Sequence, residues 1–141
     1  MAGKRHKARV IALQALYEID SVEREPEAAA QRLLAESKLD EESRAFAGEL
    51  VKGTVKNREQ LDRTIKQFAP AWPVEQIAMI DRNILRLAIF EIIFDNKVPV
   101  KVAVNEAVEL AKSFGSESSA KFVNGVLGSV SAQAGRVKDQ E

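Results

Sequence analysis

The chain has 141 residues, enough for one domain with a real core, and its 45% apolar and 30% charged residues are the balance of an ordinary globular protein. It has no cysteine and a single histidine, His6, which excludes disulfides and thiolate chemistry and leaves histidine-based catalysis and zinc ligation without material. The net charge of zero hides an asymmetry: residues 1–17 hold Lys4, Arg5, Lys7 and Arg9 and no acid, so a tip of +4 stands on a remainder of −4. A basic tip on an acidic body predicts one local anionic contact. No signal peptide is visible, and the richest apolar run, Ile84 to Phe94, is too short to span a bilayer and contains Arg86 and Glu91. The expected location is the cytoplasm.

Helical spacing dominates, so the expected fold is all-α, with about seven helices. The first runs from about Arg5 to Val22, with Val10, Leu13, Leu16 and Tyr17 as its apolar stripe. Pro26 suits the first turn of a second helix through Ala35. Asp40 can cap a third, whose first turn holds Glu41 and Glu42 and whose core residues are Phe46, Leu50 and Val51. Gly48 and Gly53 are either breaks or points of close packing. A fourth helix follows Asn57, with Leu61, Ile65 and Phe68 facing inward.

The stretch Phe68-Ala-Pro-Ala-Trp-Pro-Val is the strongest punctuation, because Pro70 and Pro73 hold their neighbours extended. It predicts a boundary between an N-terminal helical subdomain over about 4–69 and a C-terminal one over about 74–135 of a single domain. Trp72, between the prolines, reads as a packing plug rather than a ligand platform. The helix Ile77 to Asp95 is apolar nearly all round and belongs at the centre of a bundle, with Arg82, Asn83 and Arg86 on its narrow polar strip and the two arginines read as ion-pairing residues. Val98-Pro99 opens another helix, with Val100, Val104, Ala107, Val108 and Ala111 inward and Gly115 as its stop. Ser116 or Ser118 then caps a last helix, with Val123, Val126, Leu127 and Val130 as core. Its other side carries Lys121, Asn124, Gly125 and Gly128. Glycine inside a helix costs about 1 kcal/mol relative to alanine, so two on one face predict that a neighbouring helix or a nucleic-acid strand comes close to the backbone.

Catalytic patterns are missing. There is no glycine-rich phosphate loop, no G-x-S-x-G elbow and no H-E-x-x-H pair. Glu106 and Glu109 share a helix face but have no histidine or third carboxylate near them in sequence, so the expectation is a protein that is not an enzyme and carries no metal or cofactor.

Three blocks carry something more specific: Ile84-Leu-Arg-Leu-Ala-Ile-Phe-Glu91, Val98 to Gly115, and Lys121-Phe-Val-Asn-Gly-Val-Leu127. In this order they resemble the NusB family of transcription antitermination proteins, and Ala8 to Tyr17 is similar to that family's first helix. The resemblance spans about Arg5 to Val130 and is to the stand-alone protein rather than to the same fold preceding a methyltransferase domain. It implies two packed helical subdomains. It also implies binding of boxA, a single-stranded RNA of ribosomal-RNA operon leaders, together with NusE, a ribosomal small-subunit protein, and indirect action on RNA polymerase. The RNA-binding residues it implies are Lys4, Arg5, Lys7 and Arg9 from the basic start and Lys121, Phe122 and Asn124 from the last block. Phe68 and Phe114 are further aromatic candidates. Single-stranded RNA is held by neutralising its backbone and stacking its bases on rings. On spacing alone, Phe114 and Phe122 are core or stacking residues, and Asn124 reads a base edge or caps a buried backbone group. The alternative reading is a helical protein–protein adaptor without sequence-specific RNA binding.

Overall fold

The structure, a computed structural model, describes residues 3–22 and 25–140. Among them the chain forms seven α-helices and no strand: α1 (Lys4–Val22), α2 (Pro26–Glu36), α3 (Glu41–Lys56), α4 (Arg58–Phe68), α5 (Met79–Ile89), α6 (Val100–Phe114) and α7 (Ser119–Gln140). A 3-10 turn, Val74–Gln76, precedes α5, and a π-turn, Phe90–Asp95, follows it. None of these helices is long and apolar enough to cross a membrane.

The helix ends follow local chemistry. Pro26 opens α2, where a missing N–H costs nothing. The Asp40 carboxylate accepts from the Ser43 N–H at 2.8 Å and so caps α3, which runs through both Gly48 and Gly53. Pro99 precedes α6 and Gly115 ends it. Ahead of α7, the Ser116 N–H donates to the Ser119 hydroxyl at 2.8 Å, which closes the serine-rich bend.

The chain forms two units, Met1–Asn57 and Arg58–Glu141. In the first, α1 packs on α2 and α3, and Arg32 of α2 pairs with Glu18 of α1. The α1 face turned inward is lined by Ala8, Ala12 and Ala15 together with Leu13, Leu16 and Ile19. Val10 is only half-buried, and Tyr17, expected in the stripe, is exposed. Small residues let helix backbones approach closely, a feature that a search for large apolar residues overlooks.

The second unit gathers α4 to α7 around α5, whose Ile84, Leu85, Leu87 and Ile89 are fully enclosed. The division therefore falls after Asn57, and not at Pro70–Pro73 as the punctuation predicts. The reason is that α4 packs on α5 and α7 through Leu61 and Ile65. The Arg86 guanidinium also bolts it down, donating to both carboxylate oxygens of Asp62 at 2.7 and 3.0 Å. Prolines stop a helix; they do not decide which neighbour it packs on. The expected helix through Asp95 ends as α-helix at Ile89, and the Asn96 N–H bonds back to the Glu91 carbonyl. A π-turn takes in one more residue than an α-turn, so the apolar stripe goes out of phase, and Ile93 and Phe94 come out exposed.

Candidate nucleic-acid interface

In the first unit the basic tip is helical from its first charge, not a flexible arm. Lys4 Nζ lies 2.9 Å from Asp40 Oδ2, and both side chains remain open to solvent. The hydrogen bond from Lys4, supported by the Ser43 N–H, holds the Asp40 carboxyl well below the usual carboxylate range. The same contact raises the Lys4 ammonium above its ordinary value. The Arg5 guanidinium lies over the Phe46 ring of α3, 4.6 Å from its centroid, and Arg9 approaches the same ring at 5.3 Å. Arg5 and Lys7 are exposed, but Arg9 is only 2% exposed, so it cannot serve as a free phosphate contact in the way the sequence suggests. A salt-bridging or ring-facing arginine at a helix–helix seam looks the same in sequence as one in solvent.

In the second unit the end of α4, the Pro70–Trp72 bend, the start of α5 and one face of α7 enclose an open cleft of about 680 Å³. Its rings are Phe68, Trp72 and Phe122, its cation is Lys121, and Gly125 forms part of the α7 wall. Trp72 is 54% exposed and also lines a second, more polar cleft beside Asp62, Arg63 and Lys66, so it is a surface ring rather than a plug. A Cβ built on Gly125 or Gly128 meets nothing within 4 Å. Among the described residues no neighbouring helix explains those glycines; their face of α7 is open there. Asp81, in the first turn of α5, also lines the cleft; it is nearly buried, and its Oδ1 has no hydrogen-bond partner among the described residues.

The sequence candidates are thus only partly brought together. Phe68, Lys121 and Phe122 share the cleft, while Lys4, Arg5, Lys7 and Arg9 belong to the other unit. Asn124 is exposed on α7 and does not line the cleft. Phe114 is 43% exposed at the end of α6, outside the cleft and outside the core. The residues that sequence reasoning missed are Trp72, Asp81 and Phe46. The flanking prolines were the available signal for Trp72, because a ring on an extended bend follows no helix face. Among the described residues no group of three metal-ligating side chains occurs.

The NusB family model matches residues 6–132. The chain belongs to the NusB family. The transcription antitermination protein NusB of Dehalococcoides mccartyi (strain ATCC BAA-2266 / KCTC 15142 / 195) is 57% identical over 142 residues, covering 100% of this chain and 99% of that protein. Among solved structures, T. maritima NusB superposes with a TM-score of 0.84 at 30% identity, covering 92% of each chain. A crystal structure of antitermination factors NusB and NusE in complex with double-stranded RNA gives a TM-score of 0.84 at 27% identity, over 92% of this chain and 97% of that one. The helical NusB fold and the family's place in transcription antitermination are therefore those expected from the three sequence blocks.

Proposed function

We propose that this NusB-family factor binds boxA-type single-stranded RNA of ribosomal-RNA operon leaders together with a NusE-like ribosomal protein. Through that complex it acts on RNA polymerase, in the cytoplasm and without catalysing a reaction. The observation that carries the reading is the cleft, where three rings and a lysine stand beside a helix face that bears two unencumbered glycines. Rings stack splayed bases of any sequence, and a glycine face lets a strand come close to a helix backbone. The rings leave the cleft better suited to bases than to phosphates. Phosphates fall to Lys4, Arg5 and Lys7, with Lys121 as a further backbone contact. Asn124 and Phe114, exposed on the same unit, remain candidates at the margin of the RNA. A NusB relative solved with NusE in complex with double-stranded RNA supports RNA binding and a NusE-like partner.

The charge balance supports a shared task. Outside its first 17 residues the chain carries −4, so most of it repels a polyanion and attracts a basic ribosomal protein. Labelled boxA RNA and a scrambled RNA are titrated with the chain, the NusE-like partner and the mixture. The mixture is expected to bind boxA more tightly than either protein alone. Phe122→Ala is expected to weaken it about tenfold, within the range of 1–3 kcal/mol for a stacked base, at unchanged helical content. Equal binding of boxA and scrambled RNA would leave the protein–protein adaptor as the better reading.

A further inference from the structure

We propose that Phe46 is a positioning residue for the RNA backbone: its ring seats the Arg5 guanidinium, which makes Arg5 the leading phosphate ligand of the basic tip, ahead of Lys4 and Lys7. The inference rests on the RNA-binding reading above and adds a residue to it.

Arg5 and Arg9 are four positions apart on α1 and therefore lie on one face. Both guanidinium groups meet the same ring, at 4.6 and 5.3 Å. Phe46 is half-buried, whereas Ala47, Leu50 and Val51 beside it on α3 are buried, so its ring stands at the rim of the core with surface to spare for a cation. The negative face of the ring attracts a cation placed over it. A guanidinium held over a ring still has N–H donors to spare at its edge, and a phosphate can accept two of them at once. Holding the side chain in advance also removes part of the ordering cost of binding.

The other charges of the tip are less suited. Lys4 is engaged by Asp40 and must leave it to reach a phosphate. Arg9 is enclosed. Lys7 is exposed, but two positions from Arg5 it points to a different side of the helix and has no ring beneath it.

The test is a double-mutant cycle in the full chain, with labelled boxA-type RNA in the presence of the NusE-like partner. Phe46→Leu is expected to weaken binding about threefold, the scale of an exposed cation–π contact, and Phe46→Trp to restore it. Arg5→Lys, which keeps the charge and loses the guanidinium, is expected to match Phe46→Leu, and it tests the idea even where a change at position 46 disturbs folding. Arg5→Ala should flatten the slope of log affinity against log salt by about 0.7, one single-strand phosphate contact. In the Arg5→Ala background, Phe46→Leu should then have no further effect. An equal loss from Phe46→Leu in both backgrounds would make the ring merely structural and overturn the proposal, as would failure of Trp to rescue. Unchanged affinity and salt slope in Arg5→Ala would also overturn it. The Phe122→Ala variant then separates a misplaced phosphate site from a protein that does not bind RNA.

Discussion

Arg86 and Lys4 each face an aspartate. Arg86 reaches Asp62 with two hydrogen bonds, its own side chain 5% exposed, and a third nitrogen donates to the Asn83 amide oxygen at 3.3 Å. Lys4 reaches Asp40 through one ammonium contact, with 80% of its side chain in solvent. Lys4 can exchange its carboxylate for a phosphate at little cost, because water and salt already compete with Asp40 for it. Arg86 cannot let go without stranding a carboxylate between α4 and α5. The difference teaches that charge says little about role until burial is known: one pair fastens a helix, the other stands in solvent and fastens little.

The largest effect expected from that contrast is on Arg86→Ala. Breaking a fully buried pair costs about 3–5 kcal/mol, and Asp62 is partly open, so a loss of about 2–3 kcal/mol is expected in chemical denaturation. A loss comparable to that of Lys4→Ala, whose pair is exposed, would erase the distinction between the two pairs.

A smaller change is expected at the α7 wall of the cleft. Gly125→Ala adds a methyl group into open space inside a helix and should stabilise the protein by about 0.5–1 kcal/mol. If a strand approaches that face, the same variant should weaken RNA binding while the melting temperature rises. Stability and affinity moving in the same direction would remove the functional reason for the glycine.

The smallest effect is the pH dependence of the exposed pair. The folded-state value of Asp40 is depressed, so its contribution is complete above the ordinary carboxylate value of 3.8 and is lost as pH falls through the lowered one. The value of Lys4 is raised, so its share is complete below 10.5 and is lost only as pH rises beyond that. Asp40→Asn keeps a capping side chain and removes the charge. Its stability should fall less steeply on the acid side than that of the wild type, with the small difference between the two greatest near neutral pH, closing as acid protonates Asp40, and smaller throughout in high salt. Identical acid limbs would show that the ion pair adds nothing to the cap.

The cleft was legible in part. Phe68, Lys121 and Phe122 came from a sequence block and a helix stripe, and the pair of helical glycines announced an unusual face on α7. Nothing local announced Trp72 as a wall of the same cleft, or Asp81 beside it. Those positions meet only because α4, α5 and α7 pack on one another. The basic tip was legible as charge but not as geometry. Whether an arginine ends over a ring on α3 depends on how α1 lies against α3, and periodicity carries no record of that.

The sequence by itself determined the seven helices and most of their ends. Asp40, Pro26, Pro99 and Gly115 act on the backbone within a few residues of themselves. It also determined the core face of α7, where Val123, Val126, Leu127 and Val130 are all buried as their spacing requires. Tertiary structure alone decided which unit claims α4, that Arg9 is enclosed while Tyr17 and Trp72 are not, and which of two similar ion pairs is buried. A helical repeat specifies which residues share a face. Which faces meet depends on contacts between residues far apart in the chain, where a stripe of alanines can win over a stripe of larger side chains by allowing closer approach.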